Sequence, residues 1–129
     1  MKGINVELGR FKSMDVRCKK CGKYFIKHEE KETDVAIAVT LFELLYSNAC
    51  DTTVLVTGDT DLAPAVKNAK RLFIDKKVVF AFPYKRKNQE LVDLAPGSFS
   101  IGREQYPKHQ FPDTVILDDG SQLYKPASW

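Results

Sequence analysis

Ile4, Val6 and Leu8 alternate with Asn5 and Glu7 before Gly9 and Phe11. That period of two predicts a strand over 4–11. Val16-Arg17-Cys18 and Tyr24-Phe25-Ile26 flank Lys19-Lys20-Cys21-Gly22, so 16–27 reads as a hairpin whose glycine permits the positive φ of a tight turn. The charged stretch 28–32 leads to Thr33, an N-cap residue type, with Asp34 in the first turn, where a carboxylate suits the helix dipole. Over 35–47 apolar residues cover most of the helical circumference, with Thr40 and Glu43 as the strongly polar interruptions. Such a helix is expected to be largely buried.

After a turn, Val54-Leu55-Val56 is the short continuous apolar run of a buried parallel strand. Gly58-Asp59-Thr60-Asp61 closes it and opens a second helix over 62–72, with Pro64 tolerated in its first turn. A second buried strand spans 77–82 and ends at Pro83. The basic loop Tyr84-Lys85-Arg86-Lys87 follows, then a short helix over 88–94 and a last strand over 98–101. The expected core is Val35, Ile37, Val39, Leu41, Phe42 and Leu45, with Val54, Leu55, Val56, Val66, Leu72, Val78, Val79, Phe80 and Phe82. Past Arg103, prolines at 107, 112 and 126 among polar and aromatic residues suggest an extended tail over 103–129. The alternation of strands and helices predicts an α/β fold with a mostly parallel sheet.

Composition narrows the class. A chain of 129 residues is one domain's worth, and 43% apolar with 29% charged residues argues against wholesale disorder. No apolar run approaches the roughly 18 residues of a membrane span, and residues 1–12 lack the apolar stretch of a secretory signal. A cytoplasmic protein without membrane contact is the expectation. The net charge of +3 is too small to argue for a polyanion partner, so any basic patch must be argued locally.

The carboxylates carry the chemistry. Asp59 and Asp61 lie just past an apolar strand, where open α/β sheets place their ligands, and Asp34 opens the main helix. Crowded carboxylates repel one another, a cost that a divalent cation removes. The alternative is purely structural: Asp61 caps a helix, Asp34 offsets a dipole and Asp59 shapes a turn.

The segment Lys31-Glu32-Thr33-Asp34-Val35-Ala36-Ile37-Ala38-Val39, followed by Asp51-Thr52-Thr53-Val54-Leu55-Val56-Thr57-Gly58-Asp59-Thr60-Asp61-Leu62-Ala63-Pro64-Ala65-Val66, resembles the NYN domain of the PIN-like nucleases. Gly9-Arg10-Phe11, Val16-Arg17-Cys18-x-x-Cys21, Val78-Val79-Phe80-Ala81-Phe82-Pro83, Pro112-Asp113 and Lys125-Pro126 are similar to a bacterial branch of that family. The resemblance implies a three-layer PIN-like sheet with flanking helices over 1–102, in which 16–28 is a hairpin insertion. It also implies a metal-dependent ribonuclease, with Asp34, Asp59 and Asp61 holding Mg²⁺ or Mn²⁺ and RNA as the partner. A family member opens with a strand ending in Asp-Gly-x-Asn, and its Asp is a metal ligand. Here the opening residues resemble the family's third strand, so the first strands are expected to be missing. The chain is then a fragment, or another polypeptide supplies the strands (a second copy or a complementing N-terminal piece), or the sheet is smaller. Cleavage impaired by the missing acid is one expectation. A non-catalytic remnant that binds RNA or a protein is the other.

Cys18-Lys19-Lys20-Cys21-Gly22 offers two thiolates to a zinc ion, with His28 as a third candidate ligand. The alternative is a pair of reduced thiols at a hairpin tip. Tyr84, Lys85, Arg86 and Lys87 fall on the same sheet edge as Asp59, where the cations could hold phosphates and the tyrosine could stack on a base. A solvated loop is the competing reading. Trp129 either packs its ring or anchors a partner.

Overall fold

A computed structural model describes residues 4–128. The first regular element is an antiparallel ribbon of β1 (Arg10–Arg17) and β2 (Tyr24–Lys31), paired from Arg10 opposite Lys31 to Arg17 opposite Tyr24. Of the strand expected over 4–11, Arg10 and Phe11 alone are strand, as the start of β1. Residues 4–9 pair with no described strand, and Ile4, Val6 and Leu8 are exposed. Alternation makes a strand only where an edge receives its backbone groups. The charged stretch 28–31, read as a lead-in, is instead strand, held by Lys12 opposite Glu29 and by Glu29 bridging Lys27 (2.9 Å) and Lys31 (3.0 Å). Arg10 reaches Glu32 at 2.5 Å and ties the ribbon to the next helix.

Glu29 sits between two ammonium groups, hydrogen-bonded first to Lys27 and then to Lys31. They lower its carboxyl from the usual 4.5 to about 2. A depressed folded value means that this contribution is full above the unfolded pKa and is lost as the pH falls through the folded one. An NMR titration of Glu29 should therefore show a midpoint near 2, moving toward the ordinary value in Lys27→Met.

Glu32, at φ 79°, turns the chain into α1 (Thr33–Tyr46), and its carbonyl accepts the Ala36 N–H at 2.8 Å. Thr33 is no cap. Its hydroxyl donates to Glu30. At the far end Asn48 takes the left-handed conformation (φ 56°) that commonly stops a helix, and the Ala49 N–H returns to the Leu44 carbonyl. The reversed chain forms β3 (Thr52–Leu55). A 3-10 turn (Thr60–Leu62) and α2 (Ala63–Leu72) lead to β4 (Lys77–Phe82), and α3 (Gln89–Leu94) leads to β5 (Phe99–Ser100). The three strands form a parallel sheet in the order β3-β4-β5. The fold is mixed α/β. Where a tail was expected, α4 (Gln105–Lys108) and a hairpin of β6 (Thr114–Ile116) and β7 (Gln122–Tyr124) follow. Trp129 lies outside the described residues.

The core centres on β4. Val78, Phe80 and Phe82 alternate onto one face and cluster with Leu41 and Leu45 of α1, Val66 and Ala69 of α2, and Leu91 of α3. The Phe80 and Phe82 rings stack with centroids 5.9 Å apart. Several expected core residues are not in it. Val35, Val39, Val54, Val56 and Leu72 are exposed, while Ile37, Phe42, Leu55 and Val79 are half-buried. Only the Leu41/Leu45 side of α1 is covered, and among the described strands β3 pairs on one edge alone. Beside that open edge, residues 7–9, α1 and β3 line an apolar groove of about 420 Å³.

Candidate metal centre at the carboxyl end of the sheet

A helix that precedes a parallel strand runs antiparallel to it, so the start of α1 lies at the carboxyl end of β3. Three segments meet there. Asp34 comes from the first turn of α1, Asp59 from the loop after β3, and Asp61 from the 3-10 turn. One carboxylate oxygen from each lies within 4.8 Å of the others, and all three residues are exposed. Asp59, rather than Asp61, is the cap: its Oδ1 accepts the Asp61 N–H at 3.0 Å. The Thr57 hydroxyl oxygen in turn accepts the Asp59 N–H at 3.1 Å. These two bonds fix the loop and leave Asp59 a second carboxylate oxygen.

Three hard oxygen donors suit Mg²⁺ or Mn²⁺. Ligand oxygens on a magnesium ion bound at about 2.1 Å stand roughly 3 to 4 Å apart, and three exposed carboxylates within 4.8 Å of one another can close around such an ion. The donors therefore fit a small divalent cation whose remaining positions are filled by water or phosphate.

The basic loop 84–87 follows β4 and reaches the same sheet edge. Tyr84, Lys85, Arg86 and Lys87 are all exposed. Arg86 lines an open cleft of about 540 Å³ together with Val56, Thr57, Gly58, Asp59, Thr60 and Pro83. Lys85, at φ 61°, sends its ammonium over the Tyr84 ring, 5.4 Å from the centroid. The loop is held by the Arg86 N–H on the Pro83 carbonyl and by the Tyr84 N–H on the Tyr106 hydroxyl at 2.8 Å. Sequence reasoning missed Tyr106 and Thr57. Nothing local marks a tyrosine 22 residues away as a loop anchor.

Gly58 joins the two loops. A Cβ there would stand 2.2 Å from the Arg86 carbonyl oxygen and 3.0 Å from the Arg86 Cβ. No side chain fits without moving the basic loop. Gly58→Ala is expected to cost about 1–3 kcal/mol by overpacking. A denaturant melt of the variant beside the parent reads the effect.

Cys18 and Cys21 sit at the ribbon tip as free thiols, on the hairpin and away from the aspartates. His28 does not join them. It lies opposite Ser13, hydrogen-bonded to it at 3.2 Å, four rungs below the last pair of the ribbon.

The NYN domain family model matches residues 3–102. The chain belongs to the NYN domain family. Asp34, Asp59, Asp61 and the basic loop 84–87 all fall inside the match. No curated protein matches the sequence. Among solved structures, a Vibrio parahaemolyticus protein of unknown function is similar, at 26% identity and a TM-score of 0.49. The likeness covers 57% of this chain and 43% of that one, so this NYN chain spans less than half the length of its structural relative. No helix among the described residues is long and apolar enough to cross a membrane.

Proposed function

We propose that the chain is a metal-dependent ribonuclease domain that hydrolyses RNA phosphodiester bonds. The observation that carries this reading is the convergence of Asp34, Asp59 and Asp61 from three separate segments, with carboxylate oxygens within 4.8 Å, in an NYN domain. Mg²⁺ or Mn²⁺ held by these residues would supply Lewis acidity and an acidified water. Asp34 and Asp59 act as ligands. Asp61 acts as a third ligand or as the base that takes the proton of the attacking water. Arg86, in the cleft beside Asp59, neutralises a phosphate of the bound strand. Lys85 and Lys87 add positive charge along the strand's path, and the Tyr84 ring offers a face to a base.

The working unit is 1–102, with 16–28 as an inserted hairpin tip and 103–129 as an accessory segment. The open edge of β3 and the exposed valines on α1 and β3 support a further strand there, from a second copy or a complementing N-terminal fragment.

The test is incubation of the purified chain with labelled single-stranded RNA and Mn²⁺, with and without EDTA. Slow cleavage that requires the metal is expected, because three carboxylates leave coordination positions to water. Binding of RNA without any cleavage would refute the nuclease reading and favour a binding remnant of the same fold.

A further inference from the structure

The β1–β2 ribbon ends in Cys18-Lys19-Lys20-Cys21-Gly22-Lys23. Its turn is closed by the Cys18 N–H on the Lys23 carbonyl (2.8 Å) and the Gly22 N–H on the Cys18 carbonyl (2.9 Å). Gly22 holds φ at 72°, which a side chain would strain. Cys18 and Cys21 lie three residues apart in this one turn. Cys21 is exposed, Cys18 half-buried, and both are unoxidised.

Two cysteines at C-x-x-C spacing on one turn offer half the ligands of a tetrahedral zinc site. The same chain does not supply the other half. No group of three ligating side chains among the described residues includes either cysteine. His28, the third candidate, lies four rungs away, about 14 Å along the strand. The ribbon also exposes Phe11, Tyr24, Phe25 and Ile26, although a lone two-stranded hairpin is marginal in water.

We propose that the hairpin tips of two copies of this chain share one zinc ion, bound by Cys18 and Cys21 of each. Every thiol releases its proton to solvent on binding, so Zn²⁺ with four thiolates carries a net charge of about −2. Lys19, Lys20 and Lys23 on each tip offset that charge. In the absence of zinc the same lysines repel each other, which makes the dimer depend on the metal. This site is independent of the aspartates and does not rest on the nuclease reading.

The experiment titrates Zn²⁺ into the full chain under a non-thiol reductant against a chromophoric chelator, with sedimentation velocity on the same samples. The expected result is half an equivalent of zinc per chain, a shift from monomer to dimer on adding zinc, and reversal by EDTA. Cys18→Ser and Cys21→Ser should lose both metal and dimer, while Cys50→Ser keeps both. Cobalt(II) gives a second readout on the unaltered chain. Its thiolate charge-transfer and tetrahedral ligand-field bands should saturate at half an equivalent. A full equivalent of zinc per chain, a zinc-loaded monomer, a dimer indifferent to zinc, or no binding would each overturn the proposal.

Discussion

Asp59→Asn is expected to reduce RNA cleavage by about a hundredfold or more without unfolding the chain. The carboxylate has two duties that the substitution separates. Its Oδ1 accepts the Asp61 N–H at 3.0 Å, and an asparagine amide oxygen does the same, being an N-cap of equal quality. The ligand charge, in contrast, is lost. Lewis-acid stabilisation is worth several kcal/mol, and each ~1.4 kcal/mol is a factor of about ten in rate. Removing one charge from a cluster of three exposed carboxylates relieves repulsion, so the melting temperature should stay level or rise slightly. Single-turnover cleavage beside a thermal melt makes the comparison. Equal cleavage by parent and variant would mean that Asp59 plays no part in the reaction.

Phe80→Ala should have the largest effect on stability. Phe80 is fully buried, on the central strand, with its ring stacked on Phe82 and its neighbours drawn from all three sheet-packing helices. Truncation of such a ring costs about 3–5 kcal/mol, a large share of the roughly 5–15 kcal/mol that holds a domain together. A fall in melting temperature of about 10–20 °C is expected. Val56→Asp provides the contrast. Val56 reads as core in the sequence yet is 65% exposed, so the charged variant should melt within about 1 kcal/mol of the parent. A collapse of Val56→Asp would place that residue in an interface or a core.

The contrast shows what can be read from a sequence and what cannot. Strand β4 was legible to the residue because Val78, Val79, Phe80 and Phe82 are strand formers in an unbroken run closed by Pro83. The aspartates were legible as a set because the motif around Gly58, Asp59 and Asp61 is long, and helix-before-strand connectivity returns Asp34 to the same edge. Periodicity misled for residues 4–9 and for Val35 and Val39. An apolar pattern says which face seeks cover, whereas burial depends on what packs against it. The anchoring of Tyr84 by Tyr106 and the approach of Arg86 to Gly58 were invisible for another reason. Both join residues more than 20 positions apart through a backbone atom, which leaves no signature in residue type.

The central claim is that Asp34, Asp59 and Asp61 form one divalent-metal site. Substoichiometric Mn²⁺ added to the isotope-labelled chain tests it most directly, because paramagnetic broadening reports distance to the bound ion. The account predicts selective loss of the amide signals of Asp34, Gly58, Asp59 and Asp61 together, abolished in Asp34→Asn as fully as in Asp59→Asn. Broadening centred elsewhere, or confined to the loop of Asp59 and Asp61 and unchanged by Asp34→Asn, would contradict it.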